Sequence, residues 1–357
     1  MGNHHIKKKV NKKKEDFKQN EKSNFENNYI KTNLNSYLVK DSYAWRQFTN
    51  SFTIFNSIDN ILLLIYSTKS KSIICFDVNS SKKISEIKNV HKEYVINLRH
   101  FLDTINKRDI IISLFDNNHL KLWNARNFEC IFYLSNFNMG DGMGMSMSFS
   151  SYLLKENNNN YIITSSYGNE PIRIFDFNGN KVKEINNSKD SVLVLDNYYD
   201  INLSKNFIIT GNRNSVKSYD FSNNKLYYKY FDNCEDKYHS DIIIKNEDNI
   251  IKLIASCMDG NIRIWNFHSG LLLMKINLMR FQNQYCLCLW DNEYLLVGCC
   301  NNIILLVDYK KGLPIGVINV HNDDIMKIVK IIHKNYGECL ISQGMGNEQI
   351  KIWNFKK

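Results

Sequence analysis

Apolar and polar residues alternate in short runs along most of this chain, and each run breaks at a turn. The stretch Met258-Asp259-Gly260-Asn261-Ile262-Arg263-Ile264-Trp265-Asn266-Phe267 is the clearest case. Asp259-Gly260 supplies a tight turn, because glycine takes φ > 0 without steric cost. In the strand that follows, Ile262, Ile264 and Asn266 point to one side and Arg263, Trp265 and Phe267 to the other. An alternating strand that closes on an apolar or aromatic residue followed by Asp or Asn recurs seven times. The ends are Phe76-Asp77, Trp123-Asn124, Phe175-Asp176, Tyr219-Asp220, Trp265-Asn266, Val307-Asp308 and Trp353-Asn354, spaced 42 to 52 residues apart. A period of about 40–45 residues with such an end is the sequence sign of a propeller blade of four strands.

At these residues the chain resembles the WD-repeat (WD40) family. The resemblance covers about residues 35 to 357 and is carried more by period than by letters. Asn replaces Asp at 124, 266 and 354, Val307 replaces the aromatic, and the Gly-His pair that opens a blade survives only as His91, His239 and His321. It implies an all-β fold, a seven-bladed β-propeller of four-stranded antiparallel blades. The last repeat ends at Asn354, one strand short. The family commonly supplies that strand from the N-terminus, here near residues 36–42, with Ser36-Tyr37-Leu38-Val39 as its centre. Closure of this kind removes exposed sheet edges. Two segments result: a basic disordered tail over 1–30 and a propeller over 31–357.

The resemblance also assigns roles. In the family, the opening His packs and hydrogen-bonds beneath the third-strand Trp, helped by a turn Asp and a strand Ser or Thr. By position this implies His91, Ser113 and Trp123 in blade two. In blade five it implies His239, Asp259 and Trp265, and in blade seven His321 and Trp353 with Asn347 at the turn. These are structural residues, since buried polar groups need partners.

Composition narrows the rest. Nine cysteines, an odd number lying mostly inside strands, argue against a secreted disulfide framework. Cys286-x-Cys288 reads as two buried small hydrophobes rather than a metal site. No nucleophile elbow, phosphate-binding loop or zinc-protease motif is present, so the chain reads as a non-enzyme with no catalytic, cofactor-binding or metal residues. The glycines of Met139-Gly140-Asp141-Gly142-Met143-Gly144 lack a strand-then-helix context and read as a flexible loop. No apolar run approaches the roughly 18 residues a membrane span needs, and no signal-peptide core is seen. The expected location is the cytoplasm, with the nucleus as the alternative. Residues 1–30 hold eight lysines against four acids, within a net charge of +10. Lys7, Lys8, Lys9, Lys12, Lys13 and Lys14 are candidate anion contacts, toward nucleic acid or an anionic membrane. Gly2 follows Met1, but Ile6 stands where N-myristoylation wants a hydroxyl residue, so the tail is expected unmodified.

The function expected from the resemblance is a non-catalytic scaffold, a monomeric ring within a larger complex that holds other proteins or peptide segments. Two alternatives stand beside it. Trp123-Asn124-Ala125-Arg126 is similar to the Trp-Asp-x-Arg motif of propellers that act as substrate receptors for cullin-type ubiquitin ligases, with Arg126 as the partner contact. The lysine tail suits an electrostatic binder of RNA, DNA or anionic lipid. The Phe-Arg-Arg-Gly motif of phosphoinositide-binding propellers is not matched at Arg280-Phe281.

Overall fold

The protein is described by a computed structural model covering residues 37–39 (backbone), 51–88, 90, 94–115, 119–135, 148–157, 159–166, 171–186, 190–232, 234, 237–278, 283–319, 321–346 and 350–354. Within these, 28 strands form seven four-stranded antiparallel sheets. Strand β1 is Tyr37–Val39. Blade one follows with β2 (Phe52–Asn56), β3 (Leu62–Ser67), β4 (Ile73–Asp77) and β5 (Lys82–Ile87), and blade two with β6 (Val95–Asp103), β7 (Arg108–Phe115), β8 (His119–Asn124) and β9 (Cys130–Leu134). Blade three is β10 (Ser148–Glu156), β11 (Asn159–Ser166), β12 (Ile172–Asp176) and β13 (Lys181–Ile185). Blade four is β14 (Val192–Asp200), β15 (Lys205–Asn212), β16 (Ser215–Asp220) and β17 (Lys225–Phe231). Blade five is β18 (His239–Glu247), β19 (Ile250–Cys257), β20 (Asn261–Asn266) and β21 (Leu272–Asn277), and blade six β22 (Gln284–Leu289), β23 (Tyr294–Cys299), β24 (Ile303–Asp308) and β25 (Leu313–Asn319). Blade seven has β26 (Ile325–His333), β27 (Gly337–Gly344) and β28 (Ile350–Asn354), and its fourth strand is β1, which pairs Tyr37 with Ile352 and Val39 with Ile350. The chain is an all-β, seven-bladed propeller closed by its N-terminal strand, as the sequence pattern implies.

All seven repeat ends fall on the last residue of a blade's third strand. Asp or Asn is needed there because its Oδ1 accepts backbone N–H groups of the next turn. Asp77 accepts from Asn79, Asn124 from Arg126, Asp176 from Asn178, Asp220 from Ser222 and Asn266 from His268, all at 2.8–3.0 Å. Asn does this as well as Asp, which is why the substitution leaves the architecture intact. In six blades a β-bulge lies just before the apolar residue of this pair.

The period-2 alternation of each blade feeds two interfaces, one on either face. In blade five, Leu253, Ala255 and Trp265 pack toward Phe207, Ile209 and Tyr230 of blade four. Their sequence neighbours Ile254, Ile262 and Ile264 pack toward Leu295, Val297 and Leu305 of blade six. Five further clusters join the remaining neighbours, and the one between blades seven and one (Phe52, Leu64, Ile341, Ile352) shuts the ring. Cys286 packs in the cluster between blades six and seven with Cys288 against it. Two polar contacts reinforce the closure: Ser51 Oγ to Gln343 Oε1 at 2.5 Å and Lys327 Nζ to the Phe52 carbonyl at 2.6 Å. Among the described residues no helix is long and apolar enough to cross a membrane.

Candidate functional site

Three places on this frame carry polar or exposed groups beyond what strand pairing needs. The first is the set of junctions beneath the third-strand tryptophans. In blade seven, Trp353 Nε1 donates to Ser342 Oγ at 2.7 Å, and the same hydroxyl lies 2.8 Å from His321 Nε2. His321 and Trp353 are therefore brought together through a fully buried serine that the sequence reading left unnamed; Asn347 lies outside the described residues. In blade two, Trp123 Nε1 donates to Ser113 Oγ at 2.7 Å, and His91 lies outside the described residues.

Blade five is wired differently. Register places Ala255 opposite Arg263, the slot that Ser113 fills opposite Lys121 and Ser342 opposite Lys351. Alanine has no hydroxyl, so the buried Trp265 Nε1 has no acceptor. Asp259 does not turn toward His239. Its carboxylate accepts both terminal nitrogens of Arg263, at 3.1 and 2.6 Å, while Arg263 Nε donates to Asp232 at 2.8 Å. The three residues expected to share one hydrogen-bonded set thus separate, because a buried guanidinium competes for the turn aspartate and satisfies it bidentately. His239 turns Nδ1 to the Asn212 carbonyl at 3.0 Å and leaves Nε2 without a partner. Gly211 makes this approach possible: a Cβ there would lie 3.2 Å from the His239 carbonyl oxygen. Burial pushes the His239 imidazole down to about 4, with the positive charge of Arg263 adding to it, so the ring is neutral at physiological pH.

The second place is the lining of the innermost strands. Arg99 on β6, Asp196 on β14, Asp241 on β18 and Lys327 on β26 are electrostatically linked. Burial raises Asp196, raises Asp241 to about 6, and lowers Lys327 to about 7, with the Arg99 charge adding to the last shift. Arg99 Nη2 donates to the Leu195 carbonyl at 2.8 Å, and Asp241 Oδ2 accepts the Leu287 N–H at 2.7 Å. The first contact reaches from blade two to blade four, and the second ties neighbouring blades five and six together. Their partners lie one or more blades away in sequence, and no local motif announces them.

The third place is one end of the ring. In an antiparallel meander, the hairpins joining strands one to two and three to four of each blade lie at the same end. Exposed apolar side chains gather there: Ile58 in blade one, Ile105 in blade two, Ile201 and Leu203 in blade four, Ile332 and Tyr336 in blade seven. Ile201 is 77% exposed and Ile332 67%, the two highest values among the large apolar side chains described. Arg126, in the β8–β9 turn, is exposed at this same end. Lys7, Lys8, Lys9, Lys12, Lys13 and Lys14 lie outside the described residues.

Fold and ring place the chain among seven-bladed β-propellers. It is similar to the solved structure of BBS1N in complex with ARL6DN, from a crystal soaked with lead, at a TM-score of 0.67 and 10% sequence identity, over 90% of this chain and 96% of that one. At that identity the likeness is one of fold. No protein-family model matches the sequence, and no curated protein matches it.

Proposed function

We propose that this chain is a WD-repeat propeller that acts as a non-catalytic scaffold and receives a protein partner on the hairpin end of the ring. The observation that carries the reading is the gathering of Ile105, Ile201, Leu203 and Ile332 at that end. Apolar groups left in water on a rigid frame, rimmed by polar turns, mark interaction surfaces. The Trp353–Ser342–His321 arrangement and the Asp or Asn turn caps support the WD-repeat assignment. BBS1N, which has the same kind of ring, was solved with a protein partner bound. The test is co-purification of the full chain with its cross-linked partners from its native cell. Ile201→Glu combined with Leu203→Glu is expected to abolish a specific partner while the melting temperature stays unchanged. Retention of every partner by this variant and by Ile332→Glu would overturn the reading. The ubiquitin-ligase alternative is favoured by the exposure of Arg126 at the same end, and Arg126→Ala would then remove a cullin adaptor selectively. Partners held by the lysine tail would instead be stripped by moderate salt.

A further inference from the structure

The unpartnered nitrogen of His239 does not stand alone. His239 opens β18 and is register partner to Cys257, the last residue of β19. Cys234, in the connection from blade four, comes in beside them through a turn closed by the Lys237 N–H on the Cys234 carbonyl at 3.1 Å. One ring nitrogen of His239 and the two sulfurs lie within 4.8 Å of one another, and all three residues are at most 1% exposed. Both cysteines are free thiols.

We propose that Cys234, His239 and Cys257 form a binding site for a thiophilic divalent cation, with zinc as the natural fit. Three observations on different links support it. The ligand set, two thiols and one imidazole, is that of zinc sites with three protein ligands. The imidazole has the required tautomer: the Asn212 carbonyl takes the proton on Nδ1 and leaves the Nε2 lone pair for a metal, the usual outer-shell support of a metal-binding histidine. The distances are close to closure. Because no two of the atoms are more than 4.8 Å apart, a point no more than about 2.8 Å from all three exists, and inward shifts of at most about 0.5 Å for each sulfur and about 0.7 Å for the nitrogen reach zinc–ligand distances.

The sulfurs have only long or weak contacts besides one another: Cys234 Sγ lies 3.8 Å from Asn214 Oδ1 and 3.9 Å from the Lys237 carbonyl, and Cys257 meets the Asp259 backbone. The family's usual partner for such a histidine, the turn aspartate, is taken by Arg263. That cation is neutralised by Asp232 and Asp259, so a site whose two thiolates cancel the charge of the metal adds no unbalanced charge to the interior. Binding forms two sulfur–zinc bonds and breaks two S–H bonds. The two protons leave to solvent, His239 gives a lone pair without proton change, and no atom is oxidised or reduced.

The test uses the full-length chain purified under reducing conditions without chelator. Elemental analysis should find one equivalent of zinc, and the metal-free protein titrated with cobalt should develop thiolate-to-cobalt charge-transfer absorption. The unfolding midpoint of the wild type should rise with added zinc, and that of Cys234→Ser combined with Cys257→Ser should not. Three results would overturn the proposal: no zinc and no cobalt–thiolate absorption in the wild type, unchanged metal uptake by the double variant, or a Cys234–Cys257 disulfide in protein taken directly from its native cell. The first and third need no variant, so a folding failure of the double variant leaves the proposal testable.

Discussion

Blades five and seven share one plan and fill it with opposite chemistry. Both have a third-strand tryptophan, an opening histidine and the same strand register. In blade seven a serine at the second-strand slot accepts from Trp353 and contacts His321, so the buried polar groups satisfy one another. In blade five the slot holds Ala255, and the residue opposite it is the fully buried Arg263 rather than the half-buried Lys351. The aspartate is drawn to the guanidinium, and Trp265 Nε1 and His239 Nε2 are left without partners. One small substitution in a repeat frees an imidazole, and the frame tolerates it because the inter-blade apolar packing around Trp265 is retained. Stability in this ring comes from packing, and the polar wiring beneath each blade is free to diverge.

The comparison can be broken most forcefully at its cation. Arg263→Leu leaves the partly buried Asp232 and Asp259 without it, and is expected to cost about 3–5 kcal/mol, whereas Lys351→Leu, on the half-buried blade-seven position, is expected to cost under about 1 kcal/mol. Equilibrium urea unfolding of the two variants measures the contrast, and equal losses would erase the distinction between the blades. The next effect is at the serine slot. Ser342→Ala strands both Trp353 Nε1 and His321 Nε2 and should cost about 1–3 kcal/mol. The reverse change, Ala255→Ser, gives Trp265 an acceptor and should stabilise by about 0.5–1.5 kcal/mol. Denaturation of the two variants side by side checks that the signs differ.

A smaller contrast lies in pH dependence. His239 has a folded-state pKa depressed to about 4 by burial, below its unfolded value of about 6.5. Between those values the unfolded chain binds a proton that the folded one does not, so His239 contributes stability above about pH 6.5 that is lost as pH falls toward 4. The slope is about 1.4 kcal/mol per pH unit at most. Asp241, raised to about 6, acts in the opposite sense, favouring the fold below about pH 3.8 and costing stability as pH rises through 6. In metal-free protein, the variant His239→Asn should therefore show a flatter fall in melting temperature from pH 6.5 to 4 than the wild type. An unchanged profile would mean that the ring is solvated in the folded state.

The architecture was legible because it repeats locally. The alternating strands set the blade faces, and six of the seven Asp or Asn residues cap the turn after the third strand through contacts that reach only two or three residues. The turns were written partly in asparagine: eight of the fourteen described non-glycine residues with positive φ are Asn, including Asn60, Asn214 and Asn301, where another protein would spend glycine. Asparagine abundance was thus a structural signal in a chain with 15 glycines. The site-level chemistry was not legible for the opposite reason. Alternation places Arg263 on the side of Trp265 and Phe267, but its buried ion pairs are not legible from that, because one of them depends on Asp232 arriving from the end of blade four. Cys234 lies in a connection and meets Cys257 only when blades four and five are docked. His239 and Trp265 were both named from the repeat, but the swap of serine for Ala255 carries no motif of its own.

The indole N–H resonances of Trp265 and Trp353 test the difference between the blades most directly. In the wild-type protein, a two-dimensional nitrogen–proton spectrum should show the Trp353 indole proton shifted downfield by its hydrogen bond and the Trp265 proton upfield of it, and Ala255→Ser should move the Trp265 signal downfield while leaving Trp353 in place. A Trp265 signal already at the hydrogen-bonded position, and unmoved by Ala255→Ser, would contradict the account.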